Sequence, residues 1–568
     1  MASGFRGALN RFLSRHLETI LKIPGSRLYR KAVRQSRDCA ATQAAVLDEI
    51  LDYAGETEFG REHGFSEIKG YEEFRRRVPV RDYEQHRAWV ERHARGEEGV
   101  LFPGKPIMYN VSSGTTAAPK LIPVTPYAFE RTIKDRGKLW LYGVMRHYPG
   151  VFKGKDLSLV SSAVEGHTED GTPYGSLSGM VYSNIPEFMK LVHTIPASAV
   201  DIADHRAKVY TMLRFGLGSD VSVVLTGNPS TVHNLVTNAD AWKEDLIRDI
   251  RDGTLRADLE LEPEIRAELE ASLSPDADRA AELVRLAGAH ETLRPAEYWP
   301  SLRLVHTWKN GNCAMFIPRI RPWFREDTPI LDFGYIASEV AATDLLDPET
   351  DGSILAVGNA FFEFVPLGQE DAADKTFLMA HQLEEGQAYF IYVTTLSGLY
   401  RYDMNDVVEV AGHFHTTPIL RFLYKGKGIT SITGEKLSEA QLIEAVRRAS
   451  AEMDVQTEFF VGYADAEQQV YRLFAEFTGG LAPERVGAFG EAADRALREV
   501  NVEYQAKRKS DRLAPLAVEP VGPRFFDRYR SLRLAEGAPL GQFKWMQLCS
   551  GDATLERLKR LTDTSDPV

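Results

Sequence analysis

From about residue 105 to residue 425 the chain alternates between two textures, and this alternation limits the fold more than any other feature. Short apolar runs at Leu157–Val160, Val221–Leu225, Leu302–Val305, Phe361–Val365, Tyr389–Val393 and Ile419–Leu423 read as strands. Helical stretches separate several of them, which predicts an α/β layered domain. At 568 residues the chain is also too long for one ordinary core, so two or more domains are expected. Residues 1–100 read as mostly helical. Residues 238–297, rich in Glu, Asp, Arg, Ala and Leu, read as a solvated helical insertion between strands. After Tyr424 the texture changes. Lys425-Gly426-Lys427-Gly428 suits a hinge, and beyond it a helix at 438–450, a strand near 456–462, a helix at 483–500 and a strand near 516–521 form a smaller α+β pattern. The division expected is therefore a large N-terminal domain, 1–425, and a smaller C-terminal domain, 426–568.

Charge and cysteine content narrow the function classes. Lys and Arg number 68 against 81 Asp and Glu, a net charge of −13. Such a chain gains little general attraction to nucleic acid, so no nucleic-acid partner is expected. An anionic substrate would need a local basic or amide-lined site. Cys39, Cys313 and Cys549 lie far apart and form no CxxC, which fits three reduced thiols in a cytoplasmic protein. No apolar run reaches the length of a membrane span. Residues 5–34 combine helical apolar spacing (Phe5, Leu9, Phe12, Leu13, Leu17, Ile20, Leu21) with many Arg and Lys. They can be read as a membrane-surface helix. The favoured alternative is a helix packed on the main domain with a solvated basic face.

Three motifs can carry chemistry. Ser112-Ser113-Gly114-Thr115-Thr116-Ala117-Ala118-Pro119-Lys120 follows a short apolar stretch. Small residues let backbone N–H groups face phosphates, hydroxyls donate further bonds, and Lys120 adds charge. The Walker spacing is absent, and a Ser/Thr/Gly run by itself is equally an ordinary loop. Gly334-Tyr335-Ile336-Ala337-Ser338-Glu339 follows the apolar Ile330-Leu331-Asp332-Phe333. It offers an aromatic face, a hydroxyl and a hard carboxylate suited to Mg²⁺; alone, a strand end with a Ser338 helix cap reads as well. In Ser397-Gly398-Leu399-Tyr400-Arg401-Tyr402-Asp403-Met404-Asn405-Asp406, the last residue sits just before a strand-like Val-Val-Glu-Val. A fixed carboxylate there can accept two ribose hydroxyls, or the segment can be a polar turn. A fourth, weaker feature is Gly541-Gln542-Phe543-Lys544, where a Gly/Pro loop can deliver Lys544 to developing charge.

Other constellations can be set aside. Gly175-Ser176-Leu177-Ser178-Gly179 looks like a nucleophile elbow but carries Leu177 where the nucleophile belongs. None of the 14 histidines forms an HExxH pair, and His167, His193 and His233 read as core or surface residues.

Taken in order, these motifs resemble the adenylate-forming superfamily of acyl-CoA synthetases, adenylation domains and luciferases, whose phosphate loop matches Ser113 to Lys120. Within it the chain looks most like the Gretchen Hagen, or auxin-responsive promoter, family of acyl acid–amido synthetases. Further matches run along nearly the whole chain: Phe59-Gly60, Val78-Pro79-Val80 with Asp82-Tyr83, Trp299-Pro300, Phe362-Glu363-Phe364, Gly434-Glu435-Lys436, Asn501-x-Glu503-Tyr504 and Gly541-Gln542-Phe543-Lys544.

The resemblance implies a luciferase-like large domain, a mobile C-terminal domain and an active site using ATP and Mg²⁺. Ser112, Ser113, Gly114, Thr115, Thr116 and Lys120 would hold phosphates, Tyr335 would pack near adenine and Ser338 would touch the α-phosphate. Glu339 would bind Mg²⁺, Asp406 would hold the ribose and Lys544 would assist adenylation. The implied activity joins a small carboxylic acid to an amine, with an amino acid expected. A coenzyme A ligase and a degenerate adenylate-binding protein are the alternatives. Ala117 stands where the family has glycine, and alanine resists positive φ. Asn405 also replaces a glycine, but asparagine tolerates the left-handed region.

Overall fold

The computed structural model describes residues 22–112, 120–159, 162–184, 192–369, 374–426, 429–430, 432–433, 435, 437–509, 512–535, 547–550 and 552–562. The chain divides into two compact units: Met1–Met404 with Glu409–Arg421, and Asn405–Val408 with Phe422–Val568.

The first unit contains a parallel sheet in the order Lys155–Ser158, Val221–Leu225, Leu304–Thr307, Ile330–Asp332. Parallel neighbours need long crossovers. Here one crossover includes the helix His205–Leu217, and the next includes Pro229–Ala241, Lys243–Asp252, Pro263–Ala271, Ala277–Ala289 and Pro295–Tyr298. Every residue of Leu304–Thr307 is buried, as expected for a strand covered on both faces. Trp299, Tyr298, Leu213 and Val305 belong to the main core beside this sheet. A second, mixed sheet runs Lys120–Val124, Met108–Ser112, Pro173–Gly175, Gly166–His167. A third has seven strands, in the order Leu378–Met379, Phe361–Pro366, Ala388–Thr394, Tyr402–Phe414, Thr417–Lys425, Ser353–Leu355, Thr343–Asp344. The chain passes between the two units within Tyr402–Phe414 and Thr417–Lys425.

Each strand candidate read from an apolar run overlaps a strand, though Leu157–Val160 does so only at Leu157 and Ser158, with Val160 outside the described residues, and Leu302–Val305 only from Leu304; Asp406 lies within a thirteen-residue strand rather than ahead of one. The helical N-terminal reading also holds where it can be seen. Residues 22–36 are helical, and Leu28, Tyr29 and Ala32 pack against Leu139, Leu346, Ile354 and Ile419. Arg27, Arg30, Lys31 and Arg34 remain exposed. Most of the proposed membrane-surface stretch, residues 5–21, lies outside the described residues. No helix among the described residues is long and apolar enough to cross a membrane. Cys39 and Cys549 are buried free thiols, both pushed up to about 12 mainly by burial.

The second unit holds the sheet Ala517–Pro520, Val470–Phe477, Thr457–Asp465, Leu548–Cys549. Helices Glu439–Met453 and Pro483–Val500 pack on each other. Phe525 and Leu558, from two further helices, pack with Phe459, Val461 and Phe474 of the sheet.

Three buried histidines of the first unit couple its stability to pH. Burial lowers His86 and His93 from 6.5 to about 4 and His306 from 6.5 to about 3. Each is neutral when folded but takes up a proton when unfolded below about 6.5. Their contribution is therefore complete above pH 6.5 and is lost as pH falls towards the folded values. Each is expected to weaken folding by up to about 1.4 kcal/mol per pH unit in that window. Urea-unfolding midpoints should fall clearly between pH 7.5 and pH 5; equal midpoints would contradict this.

Candidate functional site

The strands Met108–Ser112 and Lys120–Val124 form an antiparallel hairpin in which Ser112 and Lys120 are register partners. Two of the proposed phosphate-binding residues, Ser112 and Lys120, are thereby set opposite each other. Ser113, Gly114, Thr115 and Thr116 themselves lie outside the described residues, as do Ala117 and Lys544.

Lys120 is held by aromatic groups. Its Nζ donates to the Tyr402 hydroxyl at 3.3 Å and lies 5.3 Å from the centre of the Tyr83 ring and 6.0 Å from that of Tyr402. Ring faces attract a cation. Tyr83 is fixed in turn, because its hydroxyl accepts from the Leu121 N–H at 2.6 Å and donates to the Leu121 carbonyl at 3.2 Å. Burial pushes the Tyr83 phenol up to about 12.

Glu339 reaches the same place from the second motif. The Tyr402 hydroxyl donates to Glu339 Oε1 at 3.3 Å. Burial, and then the Glu339 charge, raise the Tyr402 phenol far above its usual range, so it stays neutral. The segment carrying Glu339 is a tight reversal. Ala337 N–H donates to the Val340 carbonyl at 2.8 Å, and Ile336 bridges to Ala341. No helix follows Ser338, so the helix-cap reading of that serine is set aside. Gly334 opens the reversal with φ 77°, and a Cβ there would come within 2.4 Å of Thr343 Oγ1. The Thr343 hydroxyl accepts from the Tyr335 N–H at 2.8 Å. Tyr335 is buried, and the Ala342 N–H donates to its carbonyl at 2.9 Å. Arg136 braces the far side of the reversal, pairing with Asp344 at 3.0 Å and donating to the Ala341 carbonyl at 3.0 Å.

Asn110, only 2% exposed, ties two of these loops to the hairpin. Its Nδ2 donates to the Ser338 carbonyl at 3.2 Å, and its Oδ1 accepts from the Leu177 N–H at 3.1 Å. The Gly175–Gly179 segment is a strand-to-helix elbow in which Ser176 caps the helix Leu177–Ser183. Its serine thus serves the backbone, consistent with setting the elbow aside as a nucleophile.

Asp406 belongs to the second unit. It is fully buried, and Lys425 Nζ donates to its Oδ1 at 2.6 Å. The preceding Asn405 has φ 50°, the left-handed conformation that explains why asparagine can stand in for glycine there. Also in this unit, Glu435 of the Gly-Glu-Lys motif is buried and accepts from the Ile432 N–H, the Thr433 N–H and the Tyr471 hydroxyl.

The first unit thus brings Lys120 and Glu339 onto one phenol and ties Ser338 to the same hairpin through its carbonyl. Tyr83, Tyr402 and Lys425 lie in segments that stand out in the sequence, but none of them is marked there for these contacts. Asn110 and Arg136 are not marked at all, and a polar residue inside the strand Met108–Ser112 is the one signal that Asn110 gives.

An ATP-dependent chemistry fits this donor set. Among the described residues, no group of three or more His, Cys, Asp or Glu could hold a metal. Mg²⁺ does not need one, since it keeps waters and substrate phosphates and takes one or two carboxylates from protein. Glu339, partly exposed and engaged by Tyr402 through Oε1, can supply one.

Three family models match the chain in succession. The GH3 family N-terminal domain matches residues 28–330, the GH3 family central domain residues 353–425 and the GH3 family C-terminal domain residues 440–552. A probable indole-3-acetic acid-amido synthetase, GH3.2, of Oryza sativa subsp. japonica is 28% identical, with 92% of this chain and 90% of the relative covered. The jasmonoyl–L-amino acid synthetase JAR4 of Nicotiana attenuata is 26% identical over 93% of this chain and 94% of its own. Among solved structures, a GH3.15 acyl acid amido synthetase superposes with a TM-score of 0.81 at 22% identity, covering 93% of this chain and 94% of its own. At that identity the likeness speaks for the fold.

Proposed function

This chain belongs to the GH3 family, and from that membership we propose that it is an ATP-dependent acid–amino acid ligase. Its substrates are a small carboxylic acid and an amine, read as an amino acid because the relatives are named for such conjugates. The observation that supports this reading best is the convergence of Lys120 and Glu339 on Tyr402, beside the paired strands Met108–Ser112 and Lys120–Val124.

In the first half-reaction a carboxylate oxygen of the acid attacks the α-phosphorus of ATP. The bond to the bridging oxygen breaks, and pyrophosphate leaves in line. Ser112 to Thr116 and Lys120 hold the phosphates, with the Lys120 ammonium placed against negative charge as it develops. Ser338 touches the α-phosphate, Tyr335 lies by the adenine, and Asp406 accepts the ribose hydroxyls. Glu339 holds Mg²⁺, which when bound neutralises phosphate charge. In the second half-reaction the amine nitrogen attacks the acyl carbon as its free base. The new C–N bond forms, AMP leaves, and the nitrogen gives up a proton. No side chain need be acylated. Residues 1–425 act as the adenylation domain, and 426–568 as a mobile domain that rotates about a hinge near 425 and delivers Lys544.

The test is a pyrophosphate-release assay with Mg-ATP and a panel of aryl, indolyl and fatty acids. Wells contain mixed amino acids, coenzyme A or neither, and products are read by mass spectrometry. Acid-dependent release with an amide product, lost in Lys544→Ala, is expected. A thioester product would instead make the chain a coenzyme A ligase, and ATP binding without turnover on any acid would favour a degenerate binding protein.

A further inference from the structure

Tyr402 has no part in the reaction just described, yet its hydroxyl accepts from Lys120 and donates to Glu339, both at 3.3 Å. We propose that Tyr402 is a positioning residue: its phenol spaces the Lys120 ammonium from the Glu339 carboxylate and aims both at Mg-ATP. The proposal rests on the ligase reading above.

An ammonium and a carboxylate at close range attract strongly once partly removed from water. A direct pair would occupy the groups needed for phosphate and metal. A phenol between them satisfies one donor of the lysine and one lone pair of the carboxylate. It leaves two ammonium protons and the second carboxylate oxygen to other partners. The hydrogen bonds run in one direction, lysine to tyrosine to glutamate, so each polarises the next.

The phenol is well placed for this role because its ring is buried and its flanking backbone is hydrogen-bonded. Tyr402 is 1% exposed and packs edge-on against His86 at 5.6 Å. Its neighbour Arg401 sits at φ 46°, with its guanidinium locked to Glu363 at 2.8 Å. The Arg81 N–H donates to the Arg401 carbonyl at 3.2 Å, and the Asp403 N–H donates to the Arg81 carbonyl at 2.9 Å. The backbone is thus pinned on both sides of Tyr402.

Tyr402→Phe removes the hydroxyl and keeps the ring. The direct probe is the dissociation constant of a non-hydrolysable ATP analogue, titrated with Mg²⁺ and again in EDTA. With Mg²⁺ the constant should rise about tenfold, the scale of one hydrogen bond to a charged group, and in EDTA it should rise less. In turnover, KM for Mg-ATP should rise while KM for the acid stays unchanged. An analogue constant within twofold of wild type in Mg²⁺, or an equal loss with and without Mg²⁺, would overturn the proposal. A wild-type protein that bound no analogue would instead remove the ligase reading itself. If Tyr402→Phe lowers the unfolding midpoint, the double-mutant cycle with Glu339→Gln decides: non-additive effects on Mg²⁺-dependent binding support the proposal, and additive effects overturn it.

Discussion

Lys120→Met is expected to lower kcat/KM for Mg-ATP in the adenylation half-reaction by about a hundredfold to a thousandfold, the usual cost of removing one preorganised donor from developing charge. Methionine keeps the length and the apolar stem, so packing against Tyr83 and Tyr402 is largely retained. The loss should therefore appear without a fall in the unfolding midpoint. Acid-dependent exchange of labelled pyrophosphate into ATP measures it directly. A loss below tenfold would mean that Lys120 does not face the phosphates, and that its aromatic cradle serves folding.

Glu363→Leu is expected to have the largest effect on stability. Glu363 and Arg401 form an ion pair with both side chains almost fully buried, at 1% and 4% exposure. The Arg401 guanidinium also donates to the Arg75 and Val78 carbonyls, at 3.0 Å and 2.9 Å, and lies over the Phe377 ring. The Tyr71 hydroxyl donates to Glu363 Oε1 at 3.0 Å. Removing the carboxylate leaves a buried cation without its partner, which costs about 3–5 kcal/mol. Urea unfolding of the wild type and the variant gives the difference. The double variant Glu363→Leu with Arg401→Met should recover part of the loss, because no charge is then stranded. It should not recover all of it, since the buried Val78 carbonyl and the part-buried Arg75 carbonyl lose their donor. A single variant as stable as wild type would show that Arg401 finds another anion.

Much of the architecture was legible because its signals are local. Val221–Leu225 and Leu304–Thr307 are strands buried on nearly all sides, and an unbroken apolar run is what such strands require. The helix Glu439–Met453 begins at Ser438 with a capping box to Gln441, a pattern confined to four residues. The left-handed backbone at Asn405 fits a residue that tolerates it and that stands where the family has glycine.

Pairings between distant segments had no such signal. The Tyr402 hydroxyl meets a lysine 282 positions away and a carboxylate 63 positions away. Asn110 joins Leu177 and Ser338 across separations of 67 and 228. Gln43 looks in sequence like a surface residue of a helix, yet its Nδ-equivalent amide nitrogen, Nε2, donates to the Val357 and Ala360 carbonyls and its Oε1 accepts from the Phe362 N–H. Hydrophobic period reports which face of an element is buried; it carries nothing about which polar atom waits on the facing element.

By itself, then, the sequence determined where most strands and helices fall, which short motifs are candidates for phosphate, metal and ribose contacts, and which family the chain joins. Each of these depends on residue type and spacing within a few positions. Only the tertiary structure decided that one phenol links Lys120 to Glu339, that an asparagine ties the hairpin to the Ser338 turn, and that Asp406 is paired with Lys425. Those depend on where the sheets carry residues that are far apart along the chain, and a hydrogen bond reaches only about 3 Å.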